Sequence, residues 1–158
     1  MSDLSHVGPG GEARMVDVSG KPPTARMARA GGSITMSREA FDAIRQNQVA
    51  KGDVLAVARV AGIMAAKKTA ELIPLCHPVP LTDVEMTFSA DPDLPGYRVE
   101  AVARTVAATG VEMEALSAVS VTLLTMYDMA KALDKGMRIG DILLLEKEGG
   151  RSGLWRRG

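Results

Sequence analysis

The chain has one cysteine, Cys76, and two histidines, His6 and His77, among its 158 residues. No intrachain disulfide can form, and a zinc site built on clustered cysteines is excluded for want of ligands. Aromatic residues make up only 3% of the sequence, so the core must be aliphatic. Ten methionines and many alanines fill that role, the methionines adapting to irregular gaps. Neither sign of charge is in excess: 19 Lys and Arg face 19 Asp and Glu. Duplex-binding domains carry a basic surplus, so no nucleic-acid partner is expected. A small anionic ligand needs only a few local cations and stays open. No apolar run reaches the roughly 18 residues of a membrane-crossing helix. The first residues, MSDLSHVGPGGEARM, lack the apolar centre of a signal peptide. No membrane partner is expected, and the expected location is the cytoplasm.

What is present suits one compact domain. Residues 1–12, rich in Gly, Ser and Pro, read as a mobile arm, and 149–158 as a flexible tail, flanking a single domain over 13–148. ARMVDVS (13–19) alternates enough to be a short strand, and Pro22 and Pro23 then enforce a turn. Residues 25–37 read as a strand with a bulge at Gly31 and Gly32. Ser37 is positioned to cap a helix over 38–47, and Asp53 a long alanine-rich helix over 54–72. The three prolines of IPLCHPVP (73–80) exclude helix there and predict an ordered extended loop. The alternating stretches 84–90 and 97–106 predict a β-hairpin. A third helix is expected over 110–134 and a last strand over 137–148. The order predicts an α+β fold: a ferredoxin-like split βαβ with an antiparallel sheet, an added helix and an N-terminal strand.

The third helix carries no charge from Ala115 to Tyr127, with small and apolar residues on every side. One sheet covers only one side of a helix, so this pattern predicts self-association. Glu112 and Glu114 start that helix; Asp128 and Lys131 end it. At about 1.5 Å per residue the two ends lie about 24 Å apart. A nucleotide-sized ligand cannot span both in one chain. Either there are two sites, or one site is shared between subunits.

Several residues have a chemical and a bland reading. Lys51, on the turn before a helix, suits a phosphate or is a solvated lysine. Cys76 is a nucleophile if ionised, or a buried thiol. His77 is a residue that can donate or accept in chemistry, or is a structural hydrogen-bonding residue. Thr109 and Glu112 fit a capping box, which by itself explains Glu112 but not Glu114. Met113 contacts a flat ring or simply packs. Asp128 and Lys131, three apart, form an exposed helix pair or an acid–base pair. Lys147 opens a glycine-rich cationic run with Gly149, Gly150 and Arg151.

MVDVS (15–19), KGDV (51–54), IPLCHP (73–78), GVEMEAL (110–116), TMYDMAKA (125–132) and GGRSG (149–153) occur in this order. The combination resembles the bacterial cyclic pyranopterin monophosphate synthase (MoaC) family over residues 15–153. That resemblance implies a ferredoxin-like fold and a homohexamer, a trimer of dimers with active sites at dimer interfaces. It implies a lyase acting on a guanosine triphosphate already cyclised between ribose and base. The product would be cyclic pyranopterin monophosphate, with diphosphate released, in molybdopterin biosynthesis. By motif, the implied catalytic residues are Asp128, Lys131 and Lys51. Leu75, Cys76, His77, Met113, Glu114 and Glu112 would line the substrate pocket, with Lys67, Lys68 and Lys147 neutralising phosphate. Arg151 stands where the family pattern often has Lys, which keeps the charge. No cofactor is required by such a rearrangement and elimination; magnesium could accompany the pyrophosphate, and no resident metal is expected.

Overall fold

The computed structural model describes residues 5–158. The first third of the expected arm, residues 1–4, lies outside the described residues. Gly8 and Glu12 close a small turn by a backbone bond of 2.8 Å. ARMVDVS is not a strand: Ala13 makes one isolated bridge to Val7, and residues 14–18 pair with nothing regular. Its alternation reflects Val16 and Val18 turning inward, not a ladder partner.

The sheet is antiparallel. Strand β1 (Thr24–Thr35) lies at its centre, pairing along its length with β3 (Gly96–Ala107) on one side and β4 (Arg138–Glu148) on the other. Strand β2 (Leu81–Asp91) forms the expected hairpin with β3, and β5 (Trp155–Arg156) adds an edge on β4. The order β2-β3-β1-β4-β5 contains the four-strand order of the split βαβ plan. The β5 pairing was not anticipated: two residues are too few to leave a periodic signal. Between β1 and β4 the register shifts at Arg29/Ala30 and at Gly31/Ser33, where the paired glycines predict a bulge.

Helix α1 (Arg38–Arg45) begins at Ser37, whose side chain accepts from the Ala40 N–H. Helix α2 (Val54–Lys67) begins at Asp53, whose carboxylate accepts from the Ala56 N–H. The helix expected over 54–72 is interrupted at Lys68, and Thr69–Leu72 form a separate single turn, α3. The buried Thr69 hydroxyl donates to the Ala65 and Ala66 carbonyls, both at 3.0 Å, and captures the acceptors of the last turn. Helix α4 (Glu112–Ala130) is shorter than 110–134 and lacks the expected capping box. Val111 occupies the cap position with no side-chain bond, and Glu112 instead meets Lys147 at 3.1 Å.

Helices α2 and α4 run antiparallel across one face of the sheet. Gly62 of α2 faces Ala118 and Thr122 of α4 so closely that any Cβ there would collide. At Gly32 a Cβ would meet Leu123 at 2.8 Å and Val119 at 2.9 Å, so α4 rests directly on β1. The core is mostly aliphatic, as the composition requires; Ile34, Val99, Val119, Leu123 and Met126 are fully buried. Its aromatic corner is Phe41 against Tyr97, with ring centroids 5.5 Å apart. Away from the sheet, Val57, Val60 and Met64 of α2 and Leu124 of α4 leave a row of exposed apolar side chains on the helix layer.

Candidate functional site

The antiparallel helix pair sorts the charged residues into two groups. At one end, the turn before α2 brings Lys51 to the last turn of α4. Lys51 Nζ lies 2.8 Å from Asp128 Oδ2 and also donates to the Asp128 carbonyl at 3.2 Å. Lys131 Nζ lies 2.7 Å from Asp128 Oδ1. One carboxylate is thus held between two ammonium groups, all three about half exposed. The hydrogen bond from Lys131, then that from Lys51, lowers Asp128 to about 2. The same bond pushes Lys131 above its ordinary value. In the resting chain both are charged throughout the neutral range.

The other end of the pair opens on a cavity of about 920 Å³. The proline-fixed loop after α3 supplies Leu75, Cys76 and His77 to its wall, and the start of α4 supplies Glu112, Met113 and Glu114. Here the two glutamates differ sharply. Glu112 is paired with Lys147. Glu114 is buried, at 2% exposure, and only Cys76 Sγ approaches its Oε1, at 3.8 Å. Among the described residues nothing hydrogen-bonds its Oε2. Burial pushes Glu114 up. Burial and then the charge of Glu114 push the Cys76 thiol up as well, so the thiol is not ionised near neutrality.

Next to this cavity lies a smaller one of about 220 Å³, walled by Lys21, Arg26 and Arg151 together with Gly150. Lys21 borders both. Arg26 is anchored by donating to the Ala107 carbonyl at 3.1 Å. Gly149 and Gly150 have φ of 104° and 74° and lie so close to Ala25 and Arg26 that a side chain would collide.

The structure therefore joins Lys51, Asp128 and Lys131, and separately gathers Leu75, Cys76, His77, Glu112, Met113, Glu114 and Lys147. It does not join the two groups within one chain. Lys67 is exposed on the last turn of α2, outside the cavity wall. Sequence reasoning missed Lys21, Val16 and Val18 as wall residues. The turn SGKPP placed Lys21 at a fixed bend, but only the folded chain shows which space that bend faces. Among the described residues no three His, Cys, Asp or Glu are grouped to hold a metal ion. No described helix is long and apolar enough to cross a membrane.

A family model, that of the MoaC family, matches residues 15–150. Among curated proteins, one from Thermomicrobium roseum is 57% identical over 157 residues, covering 99% of this chain and 95% of its own. One from Cereibacter sphaeroides is 59% identical over 153 residues, covering 97% and 96%. One from Novosphingobium aromaticivorans is 58% identical over 156 residues, covering 99% and 98%. Each is named cyclic pyranopterin monophosphate synthase.

Proposed function

The chain belongs to the MoaC family, and we propose that it is a cyclic pyranopterin monophosphate synthase, an enzyme of molybdenum cofactor assembly. The observation that carries the reading chemically is Asp128, bridged by Lys131 and Lys51 at 2.7 and 2.8 Å. The substrate is a guanosine triphosphate cyclised between ribose and base. Opening it and building the pyran ring require protons to leave and arrive at defined atoms. Lys131 is the proton donor and Asp128 keeps it charged and oriented; proton transfer from a positioned side chain gives roughly 10²–10⁴-fold in rate.

Closure of the cyclic phosphate forms a bond from a sugar hydroxyl oxygen to the innermost phosphorus. The bond to the outer two phosphates breaks, the hydroxyl proton passes to a base, and pyrophosphate leaves. This makes the enzyme a phosphorus–oxygen lyase. Developing charge on the leaving group is met by cations placed in advance. Lys51 serves at one end of the helix pair; at the other, Lys147 stands beside the large cavity through its pair with Glu112, and Lys21 and Arg26 flank the smaller cavity, while Lys67 and Lys68 lie outside both walls. The overall change is a rearrangement and an elimination, so no redox cofactor is needed. Magnesium, where used, enters with the phosphates.

The two residue groups sit at opposite ends of a helix of 19 residues. One active site needs both, so the start of α4 from one subunit meets the end of α4 from another. The assembly is a homohexamer, a trimer of dimers, working in the cytoplasm. Incubating the purified protein with the cyclised nucleotide should yield pyranopterin and pyrophosphate in equal amounts. Asp128→Ala should abolish both while leaving the oligomer intact; undiminished turnover in that variant would remove Asp128 from the mechanism.

A further inference from the structure

The last residues of the chain take no part in the proton transfers or in the departure of pyrophosphate, yet they are held in place. β5 pairs Arg156 with Glu146 and Trp155 with Lys147, so β4, residues 149–154 and β5 form a hairpin. A strand of two residues is too short to secure itself on a sheet edge. Apolar burial does not secure it either, since Leu154 and Trp155 are exposed. Guanidinium groups do. Arg156 Nε donates to Glu146 Oε1 at 3.1 Å. Arg157 adds two bonds, from its backbone N–H to the Leu145 carbonyl at 2.9 Å and from Nε to the Leu144 carbonyl at 2.8 Å.

Glu146 is the anchor. Its other oxygen, Oε2, accepts from Arg29 of β1 at 3.1 Å, and Arg29 also meets Glu100 of β3 at 3.3 Å. The chain of charges thus crosses four strands, from β5 to β3. An exposed ion pair contributes little. Glu146, however, is buried at 9% exposure, where a carboxylate stripped of a cation is costly. The tip of the hairpin gives this anchor a use. Gly149 and Gly150 bend tightly against Ala25 and Arg26, and the Gly153 N–H returns to the Gly150 carbonyl at 3.3 Å. Arg151 then stands in the wall of the smaller cavity with Lys21 and Arg26. Arg26 is fixed by the Ala107 and Ala108 carbonyls, and the Lys21 backbone by its own turn to Val18. Arg151 rides on the loop between β4 and β5, and the tail sets the far end of that loop.

Resting on the function proposed above, in which the cationic cavity meets the outer phosphates of the substrate, we infer that β5 is a latch for Arg151. Arg156 and Glu146 are positioning residues: they pin the returning arm of the hairpin and so hold its tip at the phosphates, with Arg29 steadying Glu146 from the other side. Neither touches the ligand. Both act through the place they give Arg151.

The test measures binding of guanosine triphosphate and guanosine monophosphate by calorimetry on the full-length protein. The two differ only in the outer phosphates. Wild type should prefer the triphosphate by about tenfold or more. Arg151→Ala should lower that preference by about three- to tenfold. Arg156→Ala should do the same, although Arg156 lines neither cavity. Its side chain is mostly exposed, so its loss leaves the core untouched. The combined variant should lose no more than Arg151→Ala alone, because both changes remove one contact. Arg156→Lys keeps a charge beside Glu146 and should retain most of the preference. General damage to the fold would weaken both nucleotides alike and leave their ratio unchanged. Trp155, the only tryptophan in the chain, reports the latch directly. Its fluorescence anisotropy should fall in Arg156→Ala and hold in Arg151→Ala. A wild type without preference, including one that binds neither nucleotide, overturns the inference. So does an Arg156→Ala variant that keeps either the wild-type ratio or the wild-type anisotropy, and so does a combined loss equal to the product of the two single losses. If the binding results hold but no pyranopterin forms from the cyclised nucleotide, the synthase reading fails and the latch stands. If pyranopterin forms while Arg156→Ala keeps the wild-type ratio, the latch fails and the synthase reading stands.

Discussion

Asp128 and Glu114 show how the same chemical group is set to opposite states by its surroundings. Asp128 is half exposed and held by two ammonium groups, which lower it to about 2. Solvent screens such a pair, so its worth as a stabilising contact is small and its meaning is electrostatic. Its stabilisation is present above the unfolded value of 3.8 and is lost as pH falls through about 2. The Tm difference between wild type and Asp128→Asn should therefore hold from about pH 8 to about pH 5 and shrink in acid, a trend thermal melts at stepped pH would check. Glu114 works in the other sense. The titratable groups that act on it are Cys76 from the loop and Glu112 on its own helix. Burial raises it, so its cost is absent in acid, where folded and unfolded chains both hold the proton. The cost grows as pH rises past the unfolded 4.5 and is complete above the raised folded value. Glu114→Gln, which removes that cost, should therefore raise Tm more at about pH 8 than at about pH 4, a comparison thermal melts at the two pH values would check. The sequence made Ser37 and Asp53 legible as caps because capping is local. It misread Glu112, since a lysine 35 residues away outcompeted the local box. No local pattern distinguishes a buried glutamate from a half-buried one two residues earlier.

Among the elements, α2 and α4 decide the geometry of both candidate half-sites, because their close approach fixes which end of each meets the other. That approach depends on Gly62, where a Cβ would strike Thr122 and Ala118. Gly62→Ala should push the helices apart and cost about 1–3 kcal/mol, measured by denaturant unfolding. It should also reduce turnover, since Lys51 and Asp128 come from different sides of this contact. The strands and the long helices could be read from periodicity and caps. Three features could not. The break at Lys68 depends on a threonine hydroxyl reaching back to Ala65 and Ala66. The short β5 depends on an edge of β4 that exists only after folding. The stretch 13–19 alternates like a strand but finds no ladder.

For the whole molecule, the charge-free middle of α4 was the strongest sequence sign of association, and the folded chain divides it in two. Ala118, Val119, Leu123 and Met126 are buried inside the subunit. Leu124 at 58% exposure, with Val60 at 56% on α2, faces outward. Half of the anomaly is thus ordinary core packing, and the outward half is the part that calls for a partner. Leu124→Glu should split the assembly into smaller species by sedimentation while circular dichroism stays unchanged, with loss of turnover following the loss of assembly. The proposed reaction requires more than association, however: it requires that the two ends of α4, about 24 Å apart in one chain, come from different subunits at each site. Two variants isolate the halves, Asp128→Ala and the double variant Glu112→Ala with Glu114→Ala, each expected to be inactive alone. The decisive measurement is pyranopterin formation from the cyclised nucleotide by oligomers in which the two are co-assembled. Sites shared between subunits should recover about a quarter of wild-type turnover, because random pairing makes half the dimers mixed and each mixed dimer holds one intact site of two. Recovery indistinguishable from zero, with mixed assembly verified, would mean that no site is shared and would contradict the account.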